Sequence, residues 1–293
     1  MVMDEAIPTL EQIVAKANDL QMMPQTARKV MDLVSKDSTN AQDLAKVIEK
    51  DANITSRILK ISNSAFYGLR REVTTVQHAI VILGYKSVRS LVIATSGKAM
   101  HKRMGITEQM MWDHSVGTAI FGRLIAASLP HTIADLAFVG GLLHNVGKAI
   151  MNNECGKAYT EVMKIVYNQG VEYLDAEKEI FQYTYPEVGF RVVEKWGLPD
   201  SIVQIIRFHN LSRLDPTEKA TLLADRELKM GLSCVETSIQ MCQFLGIGYK
   251  SPKKDLDFSK VDGVKLLEIS PERLKTLIEQ GEKLYTQEKA IFN

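Results

Sequence analysis

Six histidines are spread through 293 residues, and three of them share a setting that could do chemistry. His114 continues a face with Gly117, Phe121 and Ile125, His144 one with Ile133, Leu136, Ala137 and Gly140, and His209 one with Ile202, Ile205 and Ile206. Each set follows the spacing of one helix face, so each ring is expected to point inward at a helix–helix seam. One histidine on an apolar face is ordinarily a core residue with a hydrogen-bond partner. Three of them raise a sharper expectation, that the rings converge. Imidazole is the usual nitrogen ligand of zinc, iron and nickel, and bundle interiors assemble such ligands from separate helices. Gly140 and Gly141 would let two backbones approach closely there, and Asp225, between Leu222 and Leu228, is expected to face inward as well.

A hydrolytic metal centre needs more than imidazoles. Phosphoester cleavage calls for carboxylates that neutralise the metals, bridge two ions and leave a position where water is activated. The residue beside His144, where that carboxylate is wanted, is Asn145. An amide offers a neutral carbonyl oxygen and none of the negative charge of a two-metal site. The constellation is therefore incomplete.

Helices must position these residues, because the hydrophobic periodicity is helical nearly everywhere. Leu44, Val47 and Ile48 form one stripe and Ile54, Ile58 and Ile61 another, with Asp51 placed to cap the second. Thr9 and Gln12 read as a capping box, and Asp215-Pro216-Thr217-Glu218 combines an N-cap, a proline at N1 and an acid at N3. Ser270-Pro271-Glu272 repeats that logic for the last helix. No alternating strand runs are present, so the class is all-α. Three sections follow: a first helical bundle over 8–103, a second over 107–230 that holds the three histidines, and an extension over 231–293. A polar linker is expected at 246–263, leading to a helix with Leu274, Leu277, Ile278 and Leu284 on one face. That stripe must cover this chain's own bundle or a second subunit, which makes a homo-oligomer through the C-terminal helix one expectation.

Composition sets the remaining bounds. A chain with 45% hydrophobic and 24% charged residues can bury a proper core, and a formal net charge of +1 argues against a dedicated nucleic-acid binder. Lys86, Arg89, Lys98, Lys102 and Arg103 read as a solvated face. Cys155, Cys234 and Cys242 are odd in number and lack metal or redox spacing, so a reducing cytoplasm fits. The N-terminus does not read as a signal peptide. The apolar stretch from Ala137 to Met151, interrupted by His144 and Lys148, is expected to be too short to span a bilayer.

The phrase Gly140-Gly141-Leu142-Leu143-His144-Asn145-Val146-Gly147 resembles the HD superfamily of metal-dependent phosphohydrolases. More closely, the chain is similar to the HDOD (HD-related output domain) proteins of bacterial signalling. The resemblance begins at Met23-Pro24 and runs through Leu59, Asn63-Ser64-Ala65-Phe66-Tyr67-Gly68, Ala79-Ile80 and Leu83-Gly84. It resumes at Trp112-Asp113-His114-Ser115 and continues through Trp196-Gly197-Leu198-Pro199 to Ile206-Arg207-Phe208-His209.

Carried over residue by residue, the resemblance matches His114 to the first histidine ligand and His144 to the second, with Asn145 in place of the aspartate. Tyr185 stands where a later histidine would be expected, Asn210 where a paired histidine would follow His209, and Asp225 is a loose match to the last aspartate. The glycine-tyrosine-proline signature of cyclic-di-GMP-degrading relatives is absent. Changes around a metal commonly weaken its binding 10–100-fold, and lost carboxylate charge does more. The resemblance thus implies a vestigial site with no catalytic residue and no cofactor; a divalent metal, were one bound, would sit on His114 and His144. The function expected is a non-catalytic regulatory module acting on signalling proteins or through a bound ligand such as a nucleotide, with no nucleic-acid or membrane partner. The alternative is a metal-dependent phosphohydrolase or phosphodiesterase acting on nucleotides or cyclic dinucleotides. Asn63 and Ser64 are candidates for a ligand or partner contact, although Asn, Ser and Gly68 also suit a helix end and its turn.

Overall fold

Caps decide where the helices begin. Thr9 and Gln12 exchange hydrogen bonds ahead of the first helix. Asn40 accepts from the amides of Gln42 and Asp43, Asp51 from that of Ile54, and Asp215 from those of Thr217 and Glu218. Each such cap is worth about 1 kcal/mol. The computed structural model describes residues 7–18, 25–34, 40–63, 72–101 and 104–292, and every regular element among them is helical.

The first bundle comprises α2 (Gln25–Val34), α3 (Ala41–Ile48), α4 (Ala52–Ser62), α5 (Val76–Leu83) and α6 (Tyr85–Thr95), which follow α1 (Leu10–Asn18). The second comprises α7 (Ile106–Ile125), α8 (His131–Leu143), α9 (Val146–Glu154), α10 (Gly156–Gln169), α11 (Tyr173–Phe181), α12 (Tyr185–Lys195) and α13 (Asp200–Phe208). After it come α14 (Pro216–Leu222), α15 (Arg226–Leu245), α16 (Asp262–Leu266) and α17 (Pro271–Phe292). Helix α8 runs between α7 and α6, so it joins the two bundles, and the Ser87 hydroxyl donates to Asp135 Oδ2 (2.8 Å) across that seam.

Packing relates the helices across the expected section boundaries. Residue 230 lies inside α15, whose buried Leu232, Val235 and Met241 pack it against α7 and α8, so the second bundle continues to Leu245. Helix α1 packs on α9 and α12, and Tyr183 donates to the carbonyl of Pro8 (2.9 Å) to hold it there. The stretch read as a linker is docked at its C-terminal end. Val261, Gly263 and Val264 are buried against α15, and the buried carboxylate of Glu236 accepts from the amides of Ser212 (2.6 Å) and Gly263 (2.7 Å).

The stripe on α17 covers this chain's own α7. Leu277 and Phe292 are buried, Phe121 packs so closely on Gly281 that a β-carbon there would lie 2.0 Å from the ring, and Arg123 pairs with Glu288 (3.0 Å). The apolar stretch around His144 is longer than the sequence reading took it to be. Thr132–Glu154 is long and apolar enough to cross a membrane by composition, but 94% of its most apolar window is buried inside the molecule, and it carries His144.

Candidate functional site

The three rings meet. His114 comes from the middle of α7, His144 caps the C-terminus of α8, and His209 caps that of α13. Ring centroids of His114 and His144 are 4.9 Å apart and those of His144 and His209 are 5.3 Å apart, both edge-to-face. Close approach of the helices makes this possible. A β-carbon on Gly141 would lie 2.7 Å from the backbone of Ala119 on α7, and one on Gly140 would strike Ile205 of α13 at 2.7 Å. The chain bends at His144-Asn145, where α8 stops and α9 starts, so both consecutive side chains can face the interior.

Hydrogen bonds commit most of the ring nitrogens. Nδ1 of His144 donates to the carbonyl of Gly141 (2.7 Å), and Nδ1 of His209 to that of Ile206 (2.9 Å). Each therefore presents a bare Nε2. On His209 that atom accepts from the Tyr185 hydroxyl (2.7 Å), which in turn is 3.4 Å from the Asn210 amide nitrogen. Nδ1 of His114 accepts from Nδ2 of Asn145 (2.9 Å), leaving its Nε2–H directed at the Tyr249 hydroxyl (3.4 Å). Only Nε2 of His144 has no partner.

Burial keeps the cluster neutral. All three histidines are held well below the ordinary imidazole range, His209 at about 4, first because burial penalises the imidazolium. The buried Lys148 cation adds to this, as it lies over the rings of Tyr173 (3.8 Å) and Tyr185 (4.3 Å). Burial lowers the lysine's own pKa and raises that of Glu177, whose carboxylate accepts from the Tyr159 hydroxyl (2.8 Å) and the Tyr185 amide (2.7 Å).

A divalent metal does not fit this donor set. Two of the three candidate ligand nitrogens are capped by Asn145 and Tyr185, and Asn145 brings no charge. Among the described residues no group of three or more His, Cys, Asp or Glu side chains is arranged to hold a metal ion. Asp225 is not part of the site. It is exposed and caps α15, accepting from the Leu228 amide (2.9 Å), because its place one residue before the helix turns it outward. Asn63 belongs to the first bundle, where it exchanges two hydrogen bonds with Val73 (2.7 and 2.8 Å). Ser64 and Gly68 lie outside the described residues.

Sequence reasoning missed Tyr249, Lys148 and Glu177. Lys148 carries a legible signal, a charge inside the apolar stretch that holds His144. Tyr249 carries none, since it follows the glycine turn Gly246-Ile247-Gly248. Gly248, at φ +75°, crosses α7 where a β-carbon would come within 2.4 Å of His114 Cβ, and so delivers the tyrosine onto that ring.

The HDOD domain family matches residues 20–212, well over half of the chain. A protein of Treponema pallidum (strain Nichols) is 20% identical over 214 residues, which cover 72% of this chain and 42% of that protein; the chain thus spans less than half of that relative's length. Two solved structures share the fold. The HDOD domain protein of Geobacter sulfurreducens superposes with a TM-score of 0.66 at 18% identity over 97% of this chain and 98% of that one. A candidate phosphohydrolase of Shewanella amazonensis SB2B gives 0.66 at 21% identity over 96% of each.

Proposed function

Since this chain belongs to the HDOD domain family, we propose that it is a non-catalytic signalling module that uses a degenerate HD site as a structural core and acts through protein partners or a bound ligand. The observation that carries this reading is the capping of the ligand nitrogens: Asn145 on His114 and Tyr185 on His209 fill hydrogen-bonding positions that a metal would need. Two neutral groups that complete each other's hydrogen bonds stabilise a buried cluster. The same geometry withholds the charge that phosphoester chemistry requires. The test is an assay of the purified chain with manganese, zinc or magnesium on nucleotide and cyclic-dinucleotide phosphodiesters. No turnover above the metal-only background is expected; turnover lost on His144→Ala would overturn the proposal.

A second reading, a phosphohydrolase working with one metal, draws on the unpartnered Nε2 of His144 and on the likeness to the Shewanella protein. Asn145→Asp separates the two. If only the variant binds metal tightly, the wild-type site is vestigial; if the wild type already does, the enzyme reading stands.

A further inference from the structure

Two buried polar atoms left without a partner belong to residues that line one cavity. Asn145 is 4% exposed, its Nδ2 is committed to His114, and its Oδ1 has no partner. His101 follows the short 3₁₀ turn Gly97–Met100 that ends the first bundle, and its buried Nδ1 is likewise unpartnered. Both residues line a cavity of about 20 Å³ whose other walls include Trp112, Met111, Leu142 and Val146.

Size and chemistry select the occupant. An unsatisfied buried polar atom costs about 1–3 kcal/mol, so two on separate elements facing one space call for a shared partner. A single water needs roughly 10–15 Å³ of such volume and two to four polar contacts, and anything much larger is excluded. No carboxylate lines the cavity, so a cation would lack its counter-charge. The walls are held apart from outside. Asn153 donates to the carbonyl of Met100 (2.7 Å) and Asn152 to Glu108 (2.6 Å), tying α9 to the turn and to the start of α7. Gly97 already rests against Trp112, whose ring would meet an added β-carbon at 2.7 Å.

We propose that this cavity binds one water molecule, which donates to Oδ1 of Asn145 and pairs with Nδ1 of His101, linking the first bundle to the histidine cluster. The water completes the bonding of an amide whose Nδ2 already donates to His114. With Oδ1 held as an acceptor, Nδ2 must face His114, and His114 must carry its proton on Nε2. A shift of the turn Gly97–Met100 relative to α9 is therefore transmitted to the His114 ring. This holds whether or not the site is catalytic.

The test is a crystal structure of the full chain at a resolution that shows single waters, together with ring ¹⁵N spectra of histidine-labelled wild type and His101→Phe. One density peak is expected at hydrogen-bond distance, about 2.7–3.2 Å, from both atoms. In His101→Phe the His114 ring signals shift, while those of His209 stay in place. A dry cavity, or unmoved His114 signals in the folded variant, overturns the proposal; if the variant does not fold, the wild-type density decides.

Discussion

Asn145 determines what His114 can do. As an amide it donates to Nδ1 of the ring, so His114 is protonated at Nε2, whereas His144 and His209 carry their protons on Nδ1. Ring ¹⁵N chemical shifts check this assignment directly. In Asn145→Asp the carboxylate accepts instead, so the His114 proton moves to Nδ1 and its pKa rises, since an opposite charge favours the imidazolium. Tyr185→Phe removes the partner of His209 Nε2 and should lower stability by about 1–3 kcal/mol in denaturant unfolding, with the fold intact. At this scale the sequence was informative wherever a residue type contradicts its surroundings. Asn145 beside His144 was legible from its residue type, whereas Tyr185 was singled out only through the family resemblance. Asp225 was misjudged because an acid one position before a helix and an acid on its inner face look alike until the helix start is known. Tyr249 was out of reach, because no periodicity ties residues 246–261 to α7.

Helix contacts set the precision with which the rings meet. The contact of α8 with α7 depends on Gly141, where added atoms would meet the backbone of Ala119 and not a side chain that can rotate away. Gly141→Ala should therefore cost about 1–3 kcal/mol or more and widen the His114–His144 separation, readable in unfolding midpoints and in the ring resonances. Helix starts were legible from chemistry alone: Asp51, Asp215 and the Thr9–Gln12 pair all cap as their spacing implies. The ends of sections were not. A 20-residue helix such as α15 keeps one period across the boundary placed at 230, and only packing shows that it belongs wholly to the second bundle. Helix α17 carries the last seal, with Phe292 1% exposed and its carbonyl accepting from the Trp112 indole (3.2 Å). Phe292→Ala should cost about 3–5 kcal/mol, as for other large buried aromatics.

For the molecule as a whole, a cluster of buried neutral histidines makes stability depend on pH. Their folded pKa values lie below the ordinary 6.5, so the unfolded chain binds more protons in between, and stability rises with pH there. The contribution is complete above about 6.5 and is lost as pH falls towards 4, amounting to about 3 kcal/mol for His209. Glu177 and Glu236, both raised by burial, oppose this above 4.5, but His101 is lowered by burial together with the other three histidines. Thermal unfolding from pH 7.5 down to 5 should show the melting temperature falling. The all-helical class was legible, because the period is helical and the caps at Thr9, Asp51, Asp215 and Ser270 agree with it. The inward histidines were legible too, but their capping by Asn145 and Tyr185 depends on distances that no sequence pattern encodes. The capping is also the most direct point of attack. Calorimetric titration of the chelator-free protein with manganese or zinc should show no stoichiometric binding at the histidine cluster, and His144→Ala should leave the titration unchanged. Tight one-to-one binding that His144→Ala abolishes would contradict the account.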